Sequence, residues 1–296
     1  MDDKILYNVK DKESGRKLRE YLRRAGLSGR LIKSAAREGK IELNGDRIKL
    51  NYIVKCGDII SLDVTKDESQ NIEPQNIPLD IAYEDNDVII VNKKPGMVVH
   101  PTKNYQEGTL ANALLYYFKS TGQKCIVRLV SRLDMDTSGL ILVAKNQFSH
   151  MSLARDMHSP SFEKSYFAVV HGHLGEKCGM INEPILRPSM GSIKRAVDER
   201  GQQSITHYNV IQSFTLGELV RLTLETGRTH QIRVHMAYMG HPLYGDSLYG
   251  EKEEEYIKRQ ALHAYKLSFP HPRSREIISI ETDIPDDMKQ LTEKIK

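Results

Sequence analysis

The sequence predicts an α+β protein in two unequal parts. A small α+β unit spans residues 12–65, a linker spans 66–78, and a mixed, strand-rich domain spans 79–296. Three observations lead there. Two helical patterns near the N-terminus run into a hairpin signal. The stretch 66–78 is polar and aperiodic and carries Pro74 and Pro78. Beyond it, short apolar runs suited to strands are interleaved with helix patterns.

In the first unit, Leu18 and Leu22 share a helical face, and Gly26 supplies a stop. A second helix is expected around Leu31, Ile32, Ala35 and Ala36, ended by Gly39. Asn44-Gly45 lies between Ile41–Leu43 and Ile48; both turn positions accept positive φ, so a tight hairpin is predicted. Ile60, Leu62 and Val64 alternate with polar residues, as in a half-buried strand. In the second part, Val88–Val91, Leu140–Val143 and Phe167–Val170 read as buried strands. Val220, Leu222 and Leu224, and later Ile278 and Ile280, alternate with polar neighbours. Helices are expected over Leu110, Leu114 and Tyr117 after a Thr109 cap, and over Ile232, Met236 and Met239 after a Thr229 cap. The acidic run Glu251 to Glu255 reads as an exposed loop or helix end.

The formal net charge is only +4, but it is unevenly spread: Arg16 to Lys40 holds nine Lys or Arg against two Glu. Such a patch suits a polyanion, although a solvated helix surface has the same composition. Cys56, Cys125 and Cys178 are far apart and form no CxxC pair, so neither a disulfide framework nor a zinc site is expected. The first ten residues carry no apolar signal core, and no apolar run approaches the ~20 residues of a membrane helix. The expected compartment is the cytoplasm, with no membrane contact, and a monomer is the default. A phosphate-binding GxxxxGK[ST] loop, GxGxxG and HExxH are all absent, and the Gly245 to Gly250 run has GxSxxG rather than GxSxG spacing.

Four stretches carry candidate chemistry. Arg132-Leu-Asp134-Met-Asp136-Thr-Ser-Gly139 precedes a buried strand, which suits a tight loop projecting side chains into a cleft; an ordinary turn with a capping carboxylate would look the same. Thr226 to His235 crowds Arg228, His230, Arg233 and His235 around a helix start. Cations there oppose the helix dipole, so they point to an anionic partner, either a phosphate or a carboxylate such as Asp134. Lys93 to Pro101, including His100, is a strand exit stiffened by two prolines, and Lys164 to Gly172 sets Tyr166 at the start of a strand.

In this order the four stretches resemble the large-subunit rRNA (RluA-type) family of pseudouridine synthases, over essentially all of residues 80–285. Gly240-His-Pro-Leu-Tyr-Gly-Asp246 and Leu262-His-Ala264 look like further family elements. The first unit is similar to the alpha-L RNA-binding motif shared with a small-subunit ribosomal protein, on Arg16, Leu18, Leu22, Arg30, Lys33, Gly39 and Asn44-Gly45. The resemblance implies a mixed, largely antiparallel, bent sheet with flanking helices and a central cleft. It implies isomerisation of uridine in RNA to pseudouridine, without cofactor or metal. Large-subunit ribosomal RNA is the default substrate, and related enzymes act on transfer RNA.

By residue, the resemblance makes Asp134 the catalytic carboxylate, acting as nucleophile or as base at the sugar. Tyr166 stacks on the uracil and takes part in proton transfer. Arg233 is the expected cation beside Asp134, where a charge within ~4–6 Å orients and ionises a carboxylate; Arg228 is the alternative, or a phosphate ligand. Arg132 fills the place of a flipped nucleotide or contacts the backbone. His100, Arg16, Lys17, Arg19, Arg30 and Lys33 complete the RNA-binding set. Ser131 departs from the family, where His is frequent, and leaves Asp134 untouched. Two rivals stand beside this reading. One is a non-catalytic RNA-binding or ribosome-assembly factor, against which the intact Asp134, Tyr166 and both arginines argue. The other is a hydrolase pairing Asp134 with Asp136, less suited to so basic a setting.

Overall fold

The computed structural model describes residues 4–64 and 70–296. The first part holds β1 (Lys4–Asn8), α1 (Leu18–Arg24), α2 (Gly29–Arg37), β2 (Ile41–Leu43), β3 (Asp46–Arg47) and β4 (Ile59–Asp63). Its four strands run in the order β1-β4-β2-β3, all antiparallel. The strand β1 lies ahead of residue 12, where the sequence pattern first becomes periodic. The Asn44-Gly45 turn has φ of 53° and 94°, the doubly positive geometry that its residues favour. Leu18, Leu22, Ile32, Ile41, Ile60 and Leu62 form the core beneath both helices.

Residues 66–69 of the expected linker lie outside the described residues. The rest of it, 70–78, has no regular element, as its prolines dictate, yet it is bound rather than slack. Gln70 exchanges hydrogen bonds with the backbone of Val127, at 2.9 Å each way. The Asn112 amide donates to the Glu73 carbonyl at 2.7 Å, and the Gln75 side chain accepts from Gly108 N–H at 2.7 Å. The linker is therefore a strap on the second part. Side-chain amides answering backbone groups carry no periodicity, so the composition reads only as a linker.

The second part holds β5 (Ile81–Glu84), β6 (Val88–Lys93), α3 (Leu110–Ser120), β7 (Arg128–Leu129), β8 (Ser138–Ala144), α4 (Gln147–Asp156), β9 (Glu163–His171), β10 (Cys178–Asn182), β11 (Ile185–Leu186), β12 (Ala196–Val197), β13 (Ile205–Ser213), β14 (Gly217–Leu224), α5 (Gln231–Tyr238), β15 (Leu262–Pro270), β16 (Ile277–Glu281) and α6 (Asp286–Lys294). A ten-stranded sheet runs β10-β13-β14-β9-β15-β8-β6-β5, with β16 on β15 and β7 on β8. Every pairing is antiparallel except β15 with β8.

Both halves of this sheet are covered on both faces, which explains the near-continuous apolar runs. In one half, Ile89, Val91, Ile141 and Val143 face α3, while Val88, Ile90, Leu140 and Leu142 face Leu153 of α4. In the other, Ala168, Val220 and Leu222 pack on Ile232 and Met236 of α5, and Val169 and Leu219 pack with Met288 and Leu291 of α6. Thr109 caps α3 as expected, accepting from Asn112 N–H. Helix α4 and strands β10 and β13 were not legible in the periodicity.

The halves meet where β8 and β15 run parallel, and Gly139 makes that approach possible. Its φ is 113°, and a Cβ there would lie 2.2 Å from the Ala264 carbonyl oxygen. Gly139→Ala is therefore expected to cost about 3 kcal/mol or more, since backbone cannot yield as a side chain can. A shift in the urea midpoint measures it; a midpoint within error of wild type would show that the two strands separate freely.

Candidate active site

The loop 131–137 enters β8 at this junction, and three buried groups hold it, two by backbone carbonyls and one by a side chain. The Lys93 ammonium, at 1% exposure, donates to the carbonyls of Lys94 (2.9 Å), Met97 (2.9 Å) and Met135 (2.8 Å). Burial pushes its pKa down to about 8, with Asp136 and Asp134 acting in the opposite direction. Arg259 donates through Nη1 to the Asp136 carbonyl at 3.2 Å, while Nε and Nη2 grip Asp287 at 2.6 and 2.9 Å. The Gln260 amide donates to Thr137 Oγ1 at 3.2 Å. Their contacts with the loop fall on residues 135–137, so the neighbouring Asp134 carboxylate is aimed without being consumed.

What faces that carboxylate is Arg233, from the first turn of α5. Its Nη1 lies 2.9 Å from Asp134 Oδ2. Its Nε and Nη2 donate to the two oxygens of the fully buried Asp246, at 2.7 and 2.8 Å. Burial opposes the Arg233 charge, but Asp246 and then Asp134 more than offset that, so its pKa stands above the ordinary arginine value. The fork geometry of guanidinium suits this double duty: one edge is locked by Asp246, leaving the other to present a fixed cation.

His230 also faces Asp134, Nε2 to Oδ2 at 3.7 Å, while its Nδ1 lies 2.8 Å from the Tyr249 hydroxyl. That hydroxyl accepts from the Arg195 backbone N–H at 2.7 Å. The expected Thr229 cap is corrected here. The residue at the N-cap of α5 is His230, in the left-handed region at φ 58°, with no side-chain bond to the helix because its ring is engaged by Tyr249. Non-glycine residues at positive φ are uncommon, and histidine is among those enriched there.

Tyr166 lines the same cavity as Asp134, Arg132, Arg228, His230 and Arg233. It is the fourth residue of β9 rather than its start. Burial, reinforced by the charge of Asp134, pushes its phenol well above the ordinary tyrosine range, so it is protonated at neutral pH. The two arginine alternatives separate clearly. Arg228 is exposed and its Nε donates to the Gln203 carbonyl at 3.2 Å, whereas Arg233 reaches Asp134. Arg132 is exposed on the rim. His100 is exposed on the loop after β6, and no hydrogen bond among the described residues joins it to this cluster. Lys17, Arg19, Arg30 and Lys33 are exposed on the first unit, with no carboxylate within 4 Å among the described residues, while Arg16 approaches Glu20 at 3.6 Å.

Asp246, Lys93, Arg259, His230 and Tyr249 complete the site; of these only His230 had a role legible in the sequence, as one of the cations crowding the start of α5. Asp246 and His230 stand inside stretches singled out above, but nothing in a sequence marks an aspartate as the fully buried partner of a particular arginine. The described residues hold no group of three or more His, Cys, Asp or Glu arranged for a metal ion. No described helix is long and apolar enough to cross a membrane, and Cys56 and Cys178 are exposed free thiols.

A sequence model of a family described as RNA pseudouridylate synthase matches residues 87–238. The chain is 39% identical over 276 residues to the uncharacterized RNA pseudouridine synthase YjbO of Bacillus subtilis (strain 168), covering 93% of this chain and 97% of that one. It is 38% identical over 304 residues to ribosomal large subunit pseudouridine synthase D of Vibrio cholerae serotype O1, covering 97% and 94%. Among solved structures, human RNA pseudouridylate synthase domain containing 1 is 30% identical with a TM-score of 0.58, over 72% of this chain and 86% of that one. The human domain containing 4, 21% identical with a TM-score of 0.61 over 73% and 92%, shares the fold.

Proposed function

We propose, because the chain belongs to the RNA pseudouridylate synthase family and is an isomerase acting on uridine in RNA, that Asp134, Tyr166 and Arg233 carry the reaction and that the substrate is large-subunit ribosomal RNA. The observation carrying the residue assignment is the Asp134–Arg233–Asp246 array: a part-exposed carboxylate held 2.9 Å from a cation that is itself locked from behind. The reaction breaks the bond from N1 to C1′, joins C5 to C1′, and moves the C5 proton to nitrogen, so atoms balance with no outside reactant. Asp134 must be ionised both to attack the sugar and to remove a sugar proton, and it is the ionised form with which a guanidinium pairs. Tyr166, kept protonated by burial, is suited to stack on the base and to donate rather than to act as a phenolate.

A uridine in folded RNA must leave its stack to enter this cavity, at a cost of a few kcal/mol. Phosphate contacts offset that cost and hold the register. The first unit supports such contacts through Lys17, Arg19, Arg30 and Lys33. Substituting all four by Gln is expected to weaken RNA binding and to flatten its salt slope by about 0.7–0.9 for each phosphate no longer neutralised. A fluorescence titration across salt concentrations decides; an unchanged slope would assign these cations to solvent.

Large-subunit rRNA is supported by the relatives named ribosomal large subunit pseudouridine synthase D, and a cytoplasmic enzyme follows from that substrate. The experiment is tritium release from RNA carrying 5-tritiated uridine, with domain-scale rRNA transcripts and tRNA compared side by side. Release from rRNA that survives EDTA, with RNA folding checked separately, is the expected result. Activity on tRNA alone would overturn the substrate, and loss restored by Zn²⁺ with RNA structure unchanged would overturn the cofactor-free chemistry.

A further inference from the structure

Beside the Asp134 cavity lies a second and larger one, of about 450 Å³. Arg132 and Arg228 line both, so the two spaces adjoin across these side chains. The outer walls of the second are supplied by the arm 183–202, whose short strands β11 and β12 pair through Ile185↔Val197 and Leu186↔Ala196. This arm brings three more guanidinium groups, those of Arg187, Arg195 and Arg200.

Five arginines around one groove need an explanation, because like charges repel unless something answers them. Within the protein little does. Arg187 Nε donates to the Ser192 carbonyl at 2.8 Å, and Arg195 Nη1 donates to the carbonyls of Ser192, Ile193 and Lys194 at 3.0–3.1 Å. Carbonyls satisfy N–H groups but leave the charge standing. Among the described residues only Arg200 of these three meets a carboxylate, Asp198, with Nη2 to Oδ2 at 2.7 Å and Nε to Oδ1 at 2.9 Å, and that arginine side chain is 83% exposed, so water screens the pair. The arm is also tied to the site, since the Arg195 backbone N–H holds the Tyr249 hydroxyl that holds His230. Met190 and Ile193, fully and 71% exposed between the arginines, give the tip an apolar contact suited to an unpaired base.

We propose that this groove takes consecutive phosphates of the RNA strand flanking the flipped uridine, with Arg187, Arg195 and Arg200 as ligands. The inference rests on the function proposed above. Guanidinium is the group that pairs planar with phosphate oxygens, and the groove opens where the strand on one side of an extruded nucleotide must leave the cavity.

The test is RNA affinity of the full chain across salt concentrations for the triple variant Arg187→Gln, Arg195→Gln, Arg200→Gln, and separately for Asp198→Asn. The triple variant is expected to bind about tenfold more weakly or worse, with a salt slope flatter by about 2. Asp198→Asn, which frees Arg200 while keeping the backbone bond from Arg200 N–H, is expected to bind more tightly, a change that misfolding cannot mimic. Unchanged affinity and slope in both variants, with wild type forming pseudouridine, overturns the groove and leaves the function standing. No pseudouridine from wild type on any RNA overturns the function instead. RNA binding kept by the triple variant with loss of binding to a polyglutamate probe would assign the groove to an acidic protein segment and overturn the RNA proposal.

Discussion

Replacing Asp134 with Asn is expected to reduce single-turnover pseudouridine formation to background while RNA affinity stays near wild type. Asn keeps the volume and can still accept from Arg233, so packing is preserved, but the negative charge and the nucleophilic oxygen pair are gone. If Asp134 served only to shape its turn, Asn would do almost as well, since both are good turn and cap formers. The loop would also stay in place, because Lys93, Arg259 and Gln260 hold residues 135–137 and none of them bonds the Asp134 side chain. Asp136→Asn is the matched control and is expected to keep most of its activity. Substantial turnover in Asp134→Asn, with mass spectrometry excluding deamidation to Asp, would remove this carboxylate from the chemistry. Loss in Asp136→Asn alone would move the assignment two residues along the loop.

Arg233→Met is expected to abolish turnover and also to destabilise the fold by about 3–5 kcal/mol, the usual cost of leaving a buried charge without its partner. The orphan is Asp246, fully buried and otherwise answered by the backbone N–H groups of Leu248 and Tyr249 at 3.0 and 3.2 Å. Adding Asp246→Asn to the Met variant removes the orphan charge, so a good part of the stability should return. Turnover should not, because Asp134 still faces no guanidinium. Urea unfolding and single-turnover kinetics on the same preparations separate the two effects. Arg233→Met with wild-type stability would show that Asp246 finds another partner, and wild-type turnover would show that Asp134 needs none.

The parts of the fold legible in the sequence were those governed by local chemistry. Asn44-Gly45 declared its turn, Thr109 its cap, and the runs 88–91 and 140–143 their burial on both faces. Helix α4 escaped because its exposed and buried positions are mixed: Ser149 and Ser152 are buried while Phe148 and Met151 lean on the first unit. Among site residues, Asp134 and Tyr166 stood out through motif resemblance, and Arg233 through cations placed against a helix dipole. Arg233 was the expected partner ahead of Arg228, and in the structure it is Arg233 that reaches Asp134 while Arg228 donates to the Gln203 carbonyl. Asp246 acts through burial against Arg233, and Arg259 and Lys93 act through the Asp136 and Met135 carbonyls far away in sequence, which no spacing rule encodes. Tyr249 was equally silent, since its meaning lies in joining two segments, at Arg195 and His230, that meet only in the folded chain.

The parallel seam between β8 and β15 also sets an order of events. Ser138 pairs with His263 across it, 125 residues apart in sequence. Loop closure over such a span is slow relative to the hairpins on either side, which can form from neighbouring residues. Each half-sheet can therefore mature early with its own helices, Asp134 belonging to one half and Tyr166 and Arg233 to the other. The carboxylate proposed for the chemistry and the guanidinium that faces it therefore come together only when the seam closes, and neither half-sheet alone can hold that pair.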